Sequence, residues 1–229
     1  MSLKNIIKNK EENKTHFTWN GVEVFVKDPL KNKDISLLSV LASVEKKLPD
    51  HFFNNVDSIY IGEFDFLNDR EIQAMYENSS IFITNDQSSE EDMGDDLVHE
   101  IAHAVEEDYR EEIYIDNKIE KEFLEKRKKL YLILKSENIP ADLSEFLDPS
   151  YSREFDEYLY KEVGYPLLNM VSSAMFYSPY GITSLREYFA NGFEAFYYFG
   201  EYDFIKKTCP ELFKKLNDLL EFDDDKEYY

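Results

Sequence analysis

Leu97-Val98-His99-Glu100-Ile101-Ala102-His103-Ala104-Val105 is the stretch from which the rest of this chain can be read. On a helix, histidines at i and i+4 project from one face about one turn apart, so the imidazoles of His99 and His103 can clasp a single Zn²⁺. Glu100 lies beside that face, where it can hydrogen-bond a water on the metal and take its proton. The motif therefore predicts one zinc ion per chain, with His99 and His103 as ligands and Glu100 as general base. Ile101, Ala102, Ala104 and Val105 make the helix a buried one, and histidines on a buried helix require partners.

Composition bounds what surrounds this helix. The 229 residues carry 48 Asp and Glu against 26 Lys and Arg, a net charge of −22 that repels nucleic acid and anionic membrane surfaces. The same charge draws in cationic peptides, so the expected partner is a peptide or protein with Lys or Arg near the bond to be cleaved. With 18 Phe and 17 Tyr but only 7 Gly and 7 Pro, a packed and mainly helical globule is expected. Cys209 is the single cysteine, which excludes an internal disulfide and a Cys-rich zinc site; at the end of a helix it reads as a buried structural thiol. No run approaches the length of a membrane span, and residues 1–20 lack the apolar core of a signal peptide. No membrane insertion is expected, and the location is cytoplasmic, or outside the cell without a classical export signal.

Along the chain, residues 1–14 read as a flexible N-terminus, 15–221 as one domain and 222–229 as an acidic tail. Phe17 to Val26 alternates about Asn20-Gly21, the pattern of a hairpin or a bulged strand, followed by a helix over Ile35–Leu48 and strands over Val56–Phe64 and Ser80–Thr84. Residues 69–77 read as a short helix or loop. The fold class is α+β, with a small twisted N-terminal sheet backed by helices and a mainly helical C-terminal half. Residues 116–137 read as a charged surface helix, with further helices over 151–163, 165–176, 183–199 and 210–221.

Two histidines leave a catalytic zinc short of a ligand. His16, near the terminus, and His51, in a turn after Pro49, read as surface residues, so the third ligand is expected to be a carboxylate. Hydrophobic context narrows the choice. Ser184 to Phe199 is an aromatic helix with one polar stripe of Glu187, Asn191, Glu194 and Tyr198, and acids in such a setting are costly unless paired or bound to metal. Glu187 is the first choice and Glu194 the second. Glu122 and Glu125, set among Lys121, Lys126, Arg127 and Lys128, read as a solvated ion-pair face.

His99-Glu100-Ile101-Ala102-His103, taken with Tyr180-Gly181-Ile182-Thr183-Ser184-Leu185-Arg186-Glu187-Tyr188-Phe189-Ala190, resembles the catalytic domain of the anthrax lethal factor type and the related Pro-Pro endopeptidases. In that family a Tyr stands seven residues before the Glu that is the third zinc ligand, the spacing of Tyr180 and Glu187 here. Thr208-Cys209-Pro210-Glu211 before an amphipathic helix also resembles the end of the Pro-Pro endopeptidases. The resemblance covers roughly residues 55–221. Asn191 stands where the family usually has a second Glu, and Tyr188 where it has Phe.

The resemblance implies a zincin-like fold and a zinc metalloendopeptidase with a gluzincin-type third ligand. His99, His103 and Glu187 would hold zinc, Glu100 would act as base and Tyr180 would donate to the oxyanion. Asn191 would accept a hydrogen bond from a ligand imidazole. The strand Ser80–Thr84 is expected to be the edge on which an extended substrate adds. Proline beside the cleaved bond, as in the Pro-Pro endopeptidases, rivals a basic preference. The alternatives are a zinc-stabilised, non-catalytic binding module and a toxin-type effector protease acting on one specific protein.

Overall fold

Asn20 and Gly21 both take positive φ, 48° and 80°, the backbone that a tight two-residue hairpin needs. They join β1 (Thr15–Trp19) to β2 (Val22–Val26), the hairpin read from the alternation. A computed structural model of the protein describes residues 15–221; the expected flexible N-terminus over 1–14 and the acidic tail over 222–229 lie outside them. The fold is α+β, and the chain falls into two compact units, Met1–Asp108 and Tyr109–Tyr229. Among the described residues no helix is long and apolar enough to cross a membrane.

In the first unit, α1 (Leu37–Lys47) starts at Ser36, whose hydroxyl accepts from the Ser39 amide, and a 3₁₀ turn over Asp50–Phe53 follows. Then come β3 (Ser58–Gly62), the short α2 (Asp65–Asn68), β4 (Ala74–Glu77), β5 (Ser80–Thr84) and the long helix α3 (Glu90–Asp108) that carries the histidine motif. The mixed sheet runs in the order β1-β2-β3-β5-β4, with β2, β3 and β5 parallel and both outer strands antiparallel to their neighbours.

The expected edge strand is therefore corrected. Ser80–Thr84 lies inside the sheet, whose outer strands are β1 and β4; its neighbour β4 falls in a segment read as helix or loop. Ala-Met-Tyr-Glu contains no β-branched residue, and its hairpin turns on Asn78-Ser79, with φ 50° and 57°, in place of the Asn-Gly that marks such turns.

Strand alternation gives the sheet two unlike faces. One register row joins Val24, Ile59, Ile81 and Tyr76, all buried. Helix α3 packs against β4, β5, α1 and the 3₁₀ turn. The opposite face holds a row of His16, Phe25, Tyr60 and Phe82, neighbouring rings stacked with centroids 4.4, 5.0 and 5.2 Å apart. Cross-strand aromatic contacts of this kind stabilise the pairing of their strands.

The second unit is built around helices. They are α4 (Arg110–Tyr114), α5 (Lys118–Ser136), α6 (Leu143–Phe146), α7 (Arg153–Glu157), α8 (Tyr165–Ser172), α9 (Leu185–Phe193), α10 (Tyr202–Thr208) and α11 (Pro210–Asp218). Helices α7 and α9 each run on into a π-helical turn, Tyr158–Val163 and Glu194–Tyr198.

Helix α5 corrects the reading of a solvated charged face. Arg127 is fully buried. Its guanidinium donates to the carbonyls of Asp148, at 2.7 Å, and Glu145, and lies 4.2 Å from the centroid of the Phe155 ring. Burial is the main cause that lowers its pKa to about 10, partly offset by Asp148 and Glu145. Lys126 is also buried, donating to the Tyr188 hydroxyl and to Cys209 Sγ at 3.0 Å. Charge count alone cannot distinguish a solvated basic run from one whose i+4 members point inward to aromatic rings and carbonyls.

Removing Arg127 strands two carbonyls and opens a cavity. Arg127→Ala is expected to lower stability by at least about 3 kcal/mol in urea denaturation, and exposed Lys128→Ala to change it by no more than about 0.5 kcal/mol.

Candidate metal centre

Helix α3 begins where Ser89 caps it: the Ser89 hydroxyl accepts from the Asp92 amide at 3.0 Å, and Glu90, Glu91 and Asp92 complement the helix dipole. Asp96 is tied to Gln87 Nε2 at 3.0 Å, which fixes the incoming loop. Within the helix His99 is half-buried, while Glu100, His103 and Glu106 are buried. The two imidazoles lie with ring centroids 4.8 Å apart and planes at 88°.

His103 Nδ1 is 3.8 Å from Glu106 Oε2, within ion-pair distance. A carboxylate behind a metal-binding imidazole sets its tautomer and raises its basicity. Its i+3 spacing from His103 is the only local signal that singles out Glu106, which the motif itself does not include. Glu100 Oε2 accepts the backbone N–H of Tyr76 in β4 at 2.6 Å.

Helix α9 is capped by Ser184, whose hydroxyl accepts the Glu187 amide at 3.2 Å and so fixes the backbone of that residue. Before the cap, a 3₁₀ turn over Tyr180–Ile182 is closed by the Thr183 amide and hydroxyl on the Tyr180 carbonyl, at 3.0 and 2.8 Å. Tyr180 is half-buried there. Asn191 underpins this turn: its amide oxygen accepts the Ser178 hydroxyl, and a Cβ on Gly181 would come within 3.0 Å of that same oxygen.

Tyr188, next to Glu187, is buried in a polar cluster. Its hydroxyl donates to Glu122 Oε1 at 2.8 Å, and Glu122 also accepts the Glu211 amide at the start of α11, at 2.9 Å. The hydroxyl that distinguishes Tyr188 from Phe is thus used to bind α9 to α5 and α11.

His99, His103 and Glu187 can each offer one ligand atom, and the three atoms lie within 4.8 Å of one another. Two imidazoles and a carboxylate are the donor set of a catalytic zinc site, so the residues present fit that ion. Among the described residues neither Glu194, His16 nor His51 joins such a group. Glu194 is buried in the π-helical turn, and His16 is on exposed β1, stacked on Phe25. His51, expected at the surface, is buried with its ring against Phe52: the 3₁₀ turn folds the residues after Pro49 inward.

Glu187 acts on two ionisable groups near it. Burial, then Glu187, raises the Asp156 carboxyl, against the lowering effect of its hydrogen bond from Tyr151. The Tyr151 phenol is pushed up to about 12 by burial, then by Asp156 and Glu187. A cation at the Glu187 carboxylate relieves this repulsion.

Removing the carboxylate behind His103 is expected to weaken the metal without abolishing it. Glu106→Ala should raise the zinc dissociation constant by about 10–100-fold in a competition titration with a chelating dye, with helix content unchanged by circular dichroism.

Compared with known protein families, with curated proteins and with solved structures, the chain finds no match.

Proposed function

We propose that this protein is a zinc-dependent endopeptidase of the lethal factor type. The observation that carries the reading is the group of His99, His103 and Glu187, whose ligand atoms lie within 4.8 Å of one another, with Glu100 on the same helix as the two histidines. When bound, zinc supplies a Lewis acid for the scissile carbonyl and lowers the pKa of a water toward ~7.

The residues of the chain account for the other requirements. Glu100 takes the proton of the attacking water and passes it to the leaving amine, as a general base and then a general acid. Tyr180 is the hydrogen-bond donor for the oxyanion, on the strength of its seven-residue spacing from Glu187 and the closed turn that holds it. The net charge of −22 favours substrates with Lys or Arg near the scissile bond. A purely structural metal site needs no general base beside its ligands, and the presence of Glu100 at that position favours hydrolysis over a binding module.

Glu100→Ala separates the base from the metal site. It is expected to retain zinc by elemental analysis while losing about 10²–10⁴-fold in kcat on a peptide the native protein cleaves. Loss of zinc in this variant, or unchanged turnover, would remove Glu100 from the role given to it.

A further inference from the structure

The outer strand β4 is hydrogen-bonded to the motif helix through the backbone of Tyr76. The Thr84 amide donates to the Gln73 carbonyl at 2.8 Å, so along β4 the backbone groups of 73, 75 and 77 face β5, and those of 74 and 76 face the open edge. The outward N–H of Tyr76 donates to Glu100 Oε2 at 2.6 Å, and both residues are buried. The Tyr76 side chain points to the helix-covered face. Its hydroxyl accepts from Asn55 Nδ2 at 2.9 Å and donates to the Asn55 carbonyl at 3.3 Å, while the same Nδ2 reaches the Ala104 carbonyl of α3 at 3.4 Å. Burial, then the Glu107 carboxylate, pushes the phenol up to about 12.

We propose that Tyr76 is a positioning residue for Glu100: its backbone N–H holds one carboxylate oxygen and leaves Oε1 for the water, while its phenol, bonded to Asn55 and through it to the Ala104 carbonyl, steadies β4 beside helix α3. This rests on the reading of Glu100 as the base. A glutamate has three rotatable bonds, and a charge-assisted hydrogen bond to a strand amide restricts it to one orientation before substrate arrives. Misplacing a reacting group by about 1 Å can cost roughly 100-fold in rate. The arrangement also reserves one edge donor. A peptide pairing with β4 finds the backbone of Ala74 and the carbonyl of Tyr76 facing it, while the N–H of Tyr76 is engaged by the base.

Two measurements on the full chain test this. In amide hydrogen exchange by NMR, protection of the Tyr76 amide should fall by at least about tenfold in Glu100→Ala, with that of Met75 unchanged. In kinetics, Tyr76→Ala and Tyr76→Pro both lose the phenol, but only proline loses the N–H, and proline is tolerated on an edge strand where the N–H faces outward. The proline variant should show kcat at least about tenfold below the alanine variant, with the same KM and the same zinc content. Unchanged protection of the Tyr76 amide in Glu100→Ala, or equal kcat in the two Tyr76 variants, would overturn the proposal. If the native protein cleaves no peptide, the proposed function fails, and the exchange comparison alone still decides whether Tyr76 holds Glu100. It decides equally if the proline variant does not fold.

Discussion

Burying Glu100, His103 and Glu106 along one helix is the constraint on which the first unit is built, since an uncompensated charge in the interior costs several kcal/mol. Each has a compensating group within its own unit. The edge strand supplies an amide to Glu100, and Glu106 and His103 sit within ion-pair distance of each other. These contacts explain why β4 ends up as an outer strand beside the motif helix despite its weak strand propensity: Tyr76 joins the two through its amide, and its hydroxyl meets Asn55, whose Nδ2 reaches the Ala104 carbonyl. Glu100 is thereby held by a strand amide, which fixes its geometry better than a loop would.

The second unit solves a similar problem for Glu187. Ser184 caps the helix just ahead of it, Tyr188 enters the buried cluster of Glu122, Lys126 and Cys209, and Asn191 supports the turn that carries Tyr180. Gly192 completes the arrangement, because a Cβ there would overlap the buried Leu212 side chain of α11. The helix is thus held from both ends and from one side. Glycine, a poor helix former, is kept where only its small size allows the close approach.

Much of this was legible in the residues, and the limits have physical reasons. Spacing identifies what is local: the Asn20-Gly21 hairpin, the motif helix, the polar stripe with Glu187 and the thiol of Cys209, which is indeed buried. What depends on long-range burial was read wrongly. Arg127 and Lys126 sit in a run of charges that looks solvated, yet α5 turns them inward onto Phe155, Tyr188 and Cys209. Strand β4 lacks β-branched residues, so only its pairing with β5 shows it to be a strand. Glu106 and Asp156 are two carboxylates among 48, and nothing local distinguishes them until the fold sets them beside His103 and Tyr151.

The claim on which the rest stands is that His99, His103 and Glu187 share one metal ion. Zinc content by elemental analysis, measured on the full chain and on Glu187→Ala after identical loading and dialysis, tests it most directly. The account predicts about one equivalent in the native protein and its loss in the variant, since two imidazoles alone do not complete a catalytic site. A native protein that retains no zinc, or a variant that retains as much as the native protein, would contradict it.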